Sequence, residues 1–200
     1  MPLTNIRMAA AQIKRILAVF PLLLFLMAAP AFADQEMLPI LPDGSLNWQF
    51  LLNIGQKCSG GLSRDLLLAV IWAESSGNPY AINISKVGGF SPKTEEEAVR
   101  IMYRHGKASV DIGLMQVNYK AWGKGYGLSP VDLLDPAVNI CVGSKILRRY
   151  LEEHNWSWRG IGRYNAVSIE KQATYAAKVY RTLRMIKNLQ EYPHISRDVR

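Results

Sequence analysis

Cysteine and histidine are scarce in this sequence, which contains two cysteines and three histidines in 200 residues. The histidines (His105, His154 and His194) are far apart and the cysteines form no CxxC pair, so metal-ligand spacing is absent. A GxSxG elbow, a phosphate-binding glycine loop and a dinucleotide fingerprint are also missing. These absences exclude serine hydrolases, nucleotide hydrolases and dehydrogenases. No metal or cofactor is expected. Aspartate and glutamate side chains remain as the candidate catalytic groups.

Acidic residues are absent from positions 1–33. In this segment Arg7, Lys14 and Arg15 precede the apolar run "ILAVFPLLLFLMAAP". The small residues "AFA" follow the run. This is the pattern of a secretory signal peptide cleaved before Asp34, and it predicts an exported, periplasmic protein without stable membrane insertion. A retained anchor is the alternative, although the run is short for a membrane span.

The chain after the signal peptide is predicted to have three parts. Residues 34–47 contain prolines and a glycine and are expected to form a leader or linker. Residues 48–187 are long enough for one domain, and residues 188–200 form a tail. Cys58 and Cys141 both belong to the domain, and an oxidising compartment allows them to form a disulfide. Two inert, buried thiols are the alternative.

The net charge of +8 favours association with an anionic polymer, but it does not choose between cell-wall glycan, nucleic acid and membrane. The late basic residues, such as Lys178, Arg181 and Arg184, are equally typical of a solvated helix face. No nucleic-acid recognition motif accompanies them, so nucleic-acid binding is not expected.

Helix caps and apolar periodicity predict a mainly α, single-domain protein. Predicted helices cover 48–57, a segment from the Ser63 cap to Glu74, the acidic-to-basic segment 91–107, and a helix that begins at Asp135–Pro136. A last helix places Ala173, Ala176, Ala177, Tyr180 and Leu183 inward. "AINISKVGGF" predicts a short strand or extended loop, "VDIGLMQVNYKAWGKG" a loop before a short helix, and "WSWRGIGRYNAV" an aromatic loop.

Glu74 is an unexpected residue in the apolar run "LLLAVIWAES". In helical spacing it shares a face with Leu67, Val70 and Ile71, which are expected to be buried. Burying a carboxylate costs free energy, so this position suggests a functional acid with a raised pKa. The alternative is an ordinary glutamate turned toward solvent at a frayed helix end.

Five motifs occur in order: "ESSGNPYAINIS", "GLMQVN", "LLDPAVNICVGSKIL", "GIGRYNA" and "TYAAKVY". Over roughly Leu66 to Leu183 the chain resembles the lysozyme-like lytic transglycosylase (SLT domain) family. The resemblance implies a mainly α, lysozyme-like α+β fold with a minor β region. "VDIGLMQVN" and the long spacing before it resemble the small exported members that serve conjugation, type IV secretion and pilus assembly. Components of such machines are therefore expected partners.

The resemblance implies that the substrate is the glycan strand of peptidoglycan. Glu74 would protonate the β-1,4 bond between N-acetylmuramic acid and N-acetylglucosamine. It would then act as the base on the sugar's own 6-hydroxyl, which gives a 1,6-anhydromuramic product. The implied substrate-binding residues are Gln116, Tyr164, Asn83, Gly113 and Asn118. The implied supporting residues are Ser75, Asn165 and Met115.

The chain departs from the family pattern at Val167, which follows "YNA" where a glycine is usual, and in "VDIG" before "LMQ". Residues 87–109 are an insertion relative to the shortest members and could be a lid, a partner surface or neither. Two other functions stay open: a lysozyme-type hydrolase with Asp111 as second carboxylate, and a non-catalytic peptidoglycan-binding scaffold.

Overall fold

The computed structural model describes residues 38–191, with side chains described up to residue 188. The predicted signal peptide and most of the predicted tail lie outside these residues. Residues 38–47 belong to a separate unit, in which Ile40 and Leu46 form an isolated antiparallel bridge. The turn between them is closed by Asp43, whose carboxylate accepts hydrogen bonds from the N–H and hydroxyl of Ser45.

The unit from Trp48 onward is mainly helical, which confirms the predicted fold class. Its α-helices are α1 (Trp48–Ser59), α2 (Arg64–Ser75), α3 (Glu95–His105), α4 (Pro136–Glu153), α5 (Trp158–Asn165) and α6 (Ile169–Glu191). Two 3₁₀ turns, Gly123–Tyr126 and Asp132–Leu134, precede α4. Of the helices in the described part of the chain, none combines the length and apolar content that crossing a membrane requires.

Side-chain caps start three of these helices, and two of the caps, Ser63 and Asp135, were predicted from the sequence. Ser63 accepts a hydrogen bond from the N–H of Leu66 at the start of α2, and Thr94 accepts one from Glu97 at the start of α3. Asp135 accepts the N–H groups of residues 137 and 138, with Pro136 in the first turn of α4. A cap satisfies backbone N–H groups that have no partner within the helix. Because it uses a few residue types within three positions of those groups, a helix start can be predicted from sequence alone.

A four-stranded antiparallel sheet in the order β2-β1-β3-β4 lies between α2 and α4 in the chain. Its strands are β1 (Ile82–Ile84), β2 (Gly88–Phe90), β3 (Val110–Ile112) and β4 (Val117–Asn118). The predicted strand in "AINISKVGGF" is confirmed as the β1–β2 hairpin. The prediction of a loop for 110–118 was wrong at β3 and β4, because strands of two or three residues are too short to leave an alternating pattern.

The prediction of a loop for "WSWRGIGRYNAV" was also wrong, since Trp158–Asn165 forms α5. Gly160 and Gly162 lower intrinsic helix propensity but allow close packing. A Cβ at Gly160 would lie 2.7 Å from the carbonyl oxygen of Tyr150, and one at Gly162 would lie 2.5 Å from that of Gln172. Tertiary packing against α4 and α6 therefore stabilises a helix that local preference disfavours.

The predicted disulfide is confirmed: Cys58 on α1 is bonded to Cys141 on α4. The two cysteines are 83 residues apart in sequence, so the bond closes a long loop between two helices that pack together. Such a cross-link lowers the conformational entropy of the unfolded chain.

We expect the double variant Cys58→Ala/Cys141→Ala to lose about 4 kcal/mol of unfolding free energy, because the long loop is no longer closed in the unfolded state. Urea denaturation of the variant and of wild type, each with and without dithiothreitol, measures the loss. Reductant should destabilise wild type alone. A loss below about 1 kcal/mol would contradict the expectation.

Candidate active site

A cleft of about 840 Å³ lies where the end of α2, the sheet, α5 and α6 meet. Polar side chains from all of these elements line it: Glu74, Asn83, Asp111, Gln116, Asn118, Tyr164, Asn165 and Lys178. Trp122 and Phe90 add aromatic walls, which sequence reasoning did not identify. The structure thus brings the predicted acid and four of the predicted substrate-binding residues into one cleft, together with two of the predicted supporting residues: Glu74; Asn83, Gln116, Asn118 and Tyr164; Ser75 and Asn165.

Glu74 lies in the last turn of α2, half-buried at the cleft. Its burial raises the pKa of the carboxyl group from 4.5 to about 7. Hydrogen bonding by Tyr175 and the charge of Lys178 oppose this rise, whereas the negative charge of Asp111 adds to it. A carboxyl group with a pKa near neutrality can both hold and release a proton at neutral pH, which suits a group that must first donate a proton and then accept one.

Tyr175 on α6 is the side chain that reaches the acid: its hydroxyl donates to Glu74 Oε1 at 2.6 Å. The sequence did not identify it, because the predicted inward face of the last helix was correct at Ala176 but wrong at Ala173, Ala177 and Tyr180. The buried face consists of Gln172, Tyr175, Ala176 and Val179, while Ala173, Ala177 and Tyr180 are exposed. The motif "TYAAKVY" contained the signal, since Tyr175 and Val179 are four residues apart and share a helix face.

We expect Tyr175→Phe to move the alkaline limb of the pH–activity profile to higher pH. The hydrogen bond from Tyr175 stabilises the ionised form of Glu74 and lowers its pKa, so its removal raises that pKa further. Turnover at the optimum should fall about tenfold because the carboxyl loses its orientation. Initial rates between pH 5 and 9 measure both effects. Tyr180→Phe, on the exposed face of α6, is the matched control, and an unmoved limb would contradict the role.

The turn Gly113–Gln116, which connects β3 to β4, is held to the rest of the domain through its main chain. The buried side chain of Asn139 on α4 accepts the N–H of Met115 at 2.8 Å. Its amide group donates to the carbonyl oxygens of Ile112 and Leu133 at 2.7 and 2.8 Å. Its side-chain oxygen thus holds the turn, and its two amide hydrogens hold the end of β3 and the 3₁₀ turn before α4. Sequence reasoning did not single out this asparagine.

Two further side chains hold the same turn. The hydroxyl of Ser75 donates to the carbonyl oxygen of Leu114 at 2.9 Å and so connects the turn to the end of α2. The hydroxyl of Tyr164 on α5 donates to the carbonyl oxygen of Met115 at 2.7 Å. The Met115 side chain is fully buried and lies against Gly143, so it fills core space. Tyr164 lines the cleft beside Glu74, but its proton is directed to the turn.

Gln116 occupies the end of the turn with a φ of 47°, a left-handed conformation that costs free energy for a residue other than glycine. Its amide nitrogen donates to the carbonyl oxygens of Ala81 and Gly113 at 2.9 and 3.0 Å. Both amide hydrogens are thereby used. Its side-chain oxygen is the atom available to accept a hydrogen bond from a ligand in the cleft.

Gly113 does not line the cleft, although it was predicted to bind substrate. It has a φ of 79°, and a Cβ there would lie 2.4 Å from the Nδ2 atom of Asn139. The position therefore requires glycine for the turn and for its packing against α4. We place Gly113 among the structural residues of the site.

Asn83, Asp111 and Asn118 stand side by side on β1, β3 and β4, because the register pairs them across the sheet. The amide of Asn83 donates to Asp111 Oδ2 at 3.0 Å, and that of Asn118 donates to Asp111 Oδ1 at 2.7 Å. Asp111 is thus held between two side-chain amides. The oxygen of each amide can accept a hydrogen bond from another group. The Asn118 oxygen accepts the N–H of Ala121.

Asn165, predicted to support the fold, lies in the cleft and hydrogen-bonds the carboxyl group of Glu74, which lowers its pKa. Lys178 is the cation of the cleft, and its ammonium group donates to the carbonyl oxygen of Ala73 at the end of α2. No group of three or more histidine, cysteine, aspartate or glutamate side chains suited to a metal ion occurs between residues 38 and 191.

Comparison with curated proteins shows similarity to proteins of several bacteria. Invasion protein IagB of Salmonella typhimurium (strain SL1344) is 29% identical over 135 residues, which is 64% of this chain and 72% of that protein. Type IV secretion system protein virB1 of Brucella abortus (strain 2308) is 33% identical over 101 residues, 48% of this chain and 41% of that protein. A "Peptidoglycan-binding-like protein" of Escherichia coli O157:H7 is 35% identical over 81 residues, 36% of this chain and 48% of that protein.

The residues that match a family profile include all the residues that line the cleft. The sequence profile of the Transglycosylase SLT domain matches residues 52–181, from the second turn of α1 through most of α6. The matched region includes the acid, the turn that carries Gln116 and the tyrosine on α6. Because the match spans more than half of the chain, this protein belongs to the Transglycosylase SLT domain family.

Proposed function

We propose that this protein is a peptidoglycan lytic transglycosylase that cleaves the β-1,4 bond between N-acetylmuramic acid and N-acetylglucosamine. The observation that supports it best is Glu74, a half-buried carboxyl at the cleft with a pKa of about 7 and an oriented hydrogen-bond partner. Such a group can protonate the glycosidic oxygen and later remove the proton from the 6-hydroxyl of the same sugar. Attack by that hydroxyl closes the 1,6-anhydro ring without a water.

The glycan is proposed to bind along the polar side of the sheet. Asn83 has an amide oxygen, and Gln116 has a side-chain oxygen, that can accept hydrogen bonds from sugar hydroxyl and N–H groups. Trp122 supplies a ring against which an apolar sugar face can pack. Asn118 and Tyr164 are largely engaged in holding Asp111 and the turn, so we assign them mainly to positioning.

The same cleft favours a transglycosylase over a hydrolase. A hydrolase of the inverting type needs a second carboxylate that is available to activate water, and one of the retaining type needs a carboxylate nucleophile. Both oxygens of Asp111 already accept amide hydrogens from neighbouring strands. We therefore assign Asp111 to anchoring Asn83 and Asn118 and to raising the pKa of Glu74 by its charge.

We expect Asp111→Asn to keep anhydro-ended products while its activity declines at lower pH than that of wild type. Loss of the negative charge lowers the pKa of Glu74, and a fall in turnover of about tenfold should follow from disturbed amide contacts. Mass spectrometry of released muropeptides checks the products, which are lighter by one water than hydrolytic ones. Reducing-end products from wild type that disappear in Asp111→Asn would instead establish the hydrolase.

The cellular role proposed is local opening of the cell wall for a secretion, conjugation or pilus machine. It is supported by the similarity to an invasion protein and to a type IV secretion system protein. A periplasmic location follows from the predicted signal peptide. Deletion of the gene in its native bacterium, with complementation by wild type and by Glu74→Gln, tests whether assembly of such a machine requires turnover.

A further inference from the structure

A second cavity, of about 860 Å³, lies between the end of α3, β3 and the segment that follows β4. We call it the lysine pocket and define it by Tyr103, His105, Lys107, Tyr119, Lys120 and Lys124. Part of it is built by residues 102–108, a portion of the 87–109 insertion that does not line the cleft. Its size is that of a typical site for a small molecule or a short peptide.

The charged side chains of the lysine pocket are all positive. Lys107, Lys120 and Lys124 line it, and none of the described residues at its wall is an aspartate or glutamate. Asp132 is close in sequence to the pocket residue Ser129 but does not line the pocket. Its carboxylate accepts a hydrogen bond from the N–H of Ser129 at 2.7 Å. The salt bridges found among residues 38–188 join Arg148 to Glu152 and Arg149 to Glu153 on α4, so they leave these lysines out.

The lysines come together from two separate segments. The ammonium group of Lys120 donates to the carbonyl oxygen of Lys107 at 2.5 Å, which connects the chain after β4 to the end of α3. The helix dipole favours cations at the end of α3, which accounts for Arg104 and Lys107. That explanation does not extend to Lys120 and Lys124. All three lysines of the pocket are exposed to solvent, and together they create a positive potential that attracts an anion.

The pocket backs onto the catalytic cleft. Asp111 lines the cleft, whereas its neighbour Val110 lines the pocket. Likewise Asn118 lines the cleft and Tyr119 lines the pocket. Successive side chains of a strand point to opposite faces, so the two concavities lie on opposite faces of the same short sheet.

We propose that the lysine pocket binds the peptide stems of peptidoglycan through their carboxylates, so that the enzyme holds the wall at a second point behind the cleft. The proposal rests on the proposed function, since the substrate of that reaction carries short peptides with free carboxylates. Lysines are flexible point charges that suit carboxylates at several positions along a peptide. The ring of Tyr103, which is 78% exposed, and that of Tyr119 offer apolar contact to the peptide.

The test compares soluble glycan strands that carry stems with strands whose stems an amidase has removed. For Lys107→Ala/Lys120→Ala/Lys124→Ala we expect KM to rise about five- to tenfold on stem-bearing strands, with kcat unchanged. On stem-free strands KM should equal that of wild type. The control Lys57→Ala/Lys93→Ala/Lys171→Ala removes the same charge from exposed positions elsewhere and should leave both KM values unchanged. Thermal melting verifies that both triple variants are folded.

Direct binding of the free stem peptide by NMR titration separates this proposal from the proposed function. Wild type should bind it, more weakly as salt is raised, and the pocket variant should not. If wild type cleaves neither strand but binds the peptide, the proposed function fails and the pocket assignment stands. Equal KM shifts on both strands, or no binding of the peptide, would overturn the assignment. Binding of poly-glutamate without binding of the stem would also overturn it and indicate an acidic protein partner.

Discussion

Glu74→Gln is expected to reduce turnover of peptidoglycan by about 10³-fold or more, because one residue supplies both the acid and the base of the proposed reaction. The amide has nearly the shape of the carboxyl and can still accept the hydrogen bond of Tyr175, so the cleft should keep its structure. Release of muropeptides, followed by mass spectrometry, measures the loss. A murein pull-down should show that glycan binding survives in the variant.

Two results would contradict this expectation. A Glu74→Gln enzyme with a tenth or more of wild-type activity would place the acid elsewhere in the cleft. No products from wild type, with murein binding intact, would instead favour the non-catalytic scaffold or a missing activating partner. Gln56→Glu is a matched control, since it exchanges the same two side chains on α1, outside the cleft.

The pKa of Glu74 also predicts how this variant changes stability with pH. The folded protein holds the proton up to about pH 7, whereas the unfolded chain releases it near 4.5. Between these values the folded state binds more protons, so wild type loses unfolding free energy as pH rises, at most about 3 kcal/mol. We expect Glu74→Gln to match wild type near pH 4 and to be more stable by about 1–3 kcal/mol at pH 8.

The same ionisation governs activity in wild type. Proton donation begins the reaction, so kcat/KM should fall as pH rises through about 7 and Glu74 loses its proton. A profile that stays flat to pH 9 would show that the protonated carboxyl is not required.

Asn139→Asp should destabilise the domain by about 3 kcal/mol or more and abolish activity. The substitution removes two donors and turns a fully buried carboxyl oxygen toward the carbonyl groups of Ile112 and Leu133. The position lies in the first turns of α4, where the helix dipole favours a negative charge by up to about 1 kcal/mol. That gain is smaller than the loss.

Urea denaturation and turnover, measured together, check the effect of Asn139→Asp. Activity should disappear even in the fraction that is folded, because the turn that presents Gln116 loses its attachment to α4. Asn188→Asp, on an exposed part of α6, is the control and should stay within about 0.5 kcal/mol of wild type. Equal stability of the two variants would show that Asn139 does not hold the turn.

Residue patterns over a few positions were sufficient to propose the candidate acid and to predict two helix starts. Glu74 stands out because it interrupts an apolar stripe, and Ser63 and Asp135 mark the starts of α2 and α4 because their side chains cap backbone N–H groups within three residues. The environment of the acid was also predictable in outline, since an apolar face implies burial and burial raises a carboxyl pKa. The order of the motifs then identified the family to which the chain belongs.

Local patterns failed where packing decides the outcome. The glycines of α5 suggested a loop, yet close packing against Tyr150 and Gln172 makes that segment helical. The stripe of small residues on α6 suggested the wrong buried face, and Tyr175 was missed with it.

By itself, then, the sequence was sufficient to predict export, a pair of cysteines, the family and Glu74 as the candidate acid, because each prediction uses residue types at short or ordered spacing. Only the tertiary structure decided which tyrosine meets Glu74, since that contact joins residues 101 positions apart. It also decided that the oxygens of Asp111 are held by Asn83 and Asn118, which depends on the register of three strands. Helix phase and strand register are set by the packing of distant segments, and a single sequence does not display them.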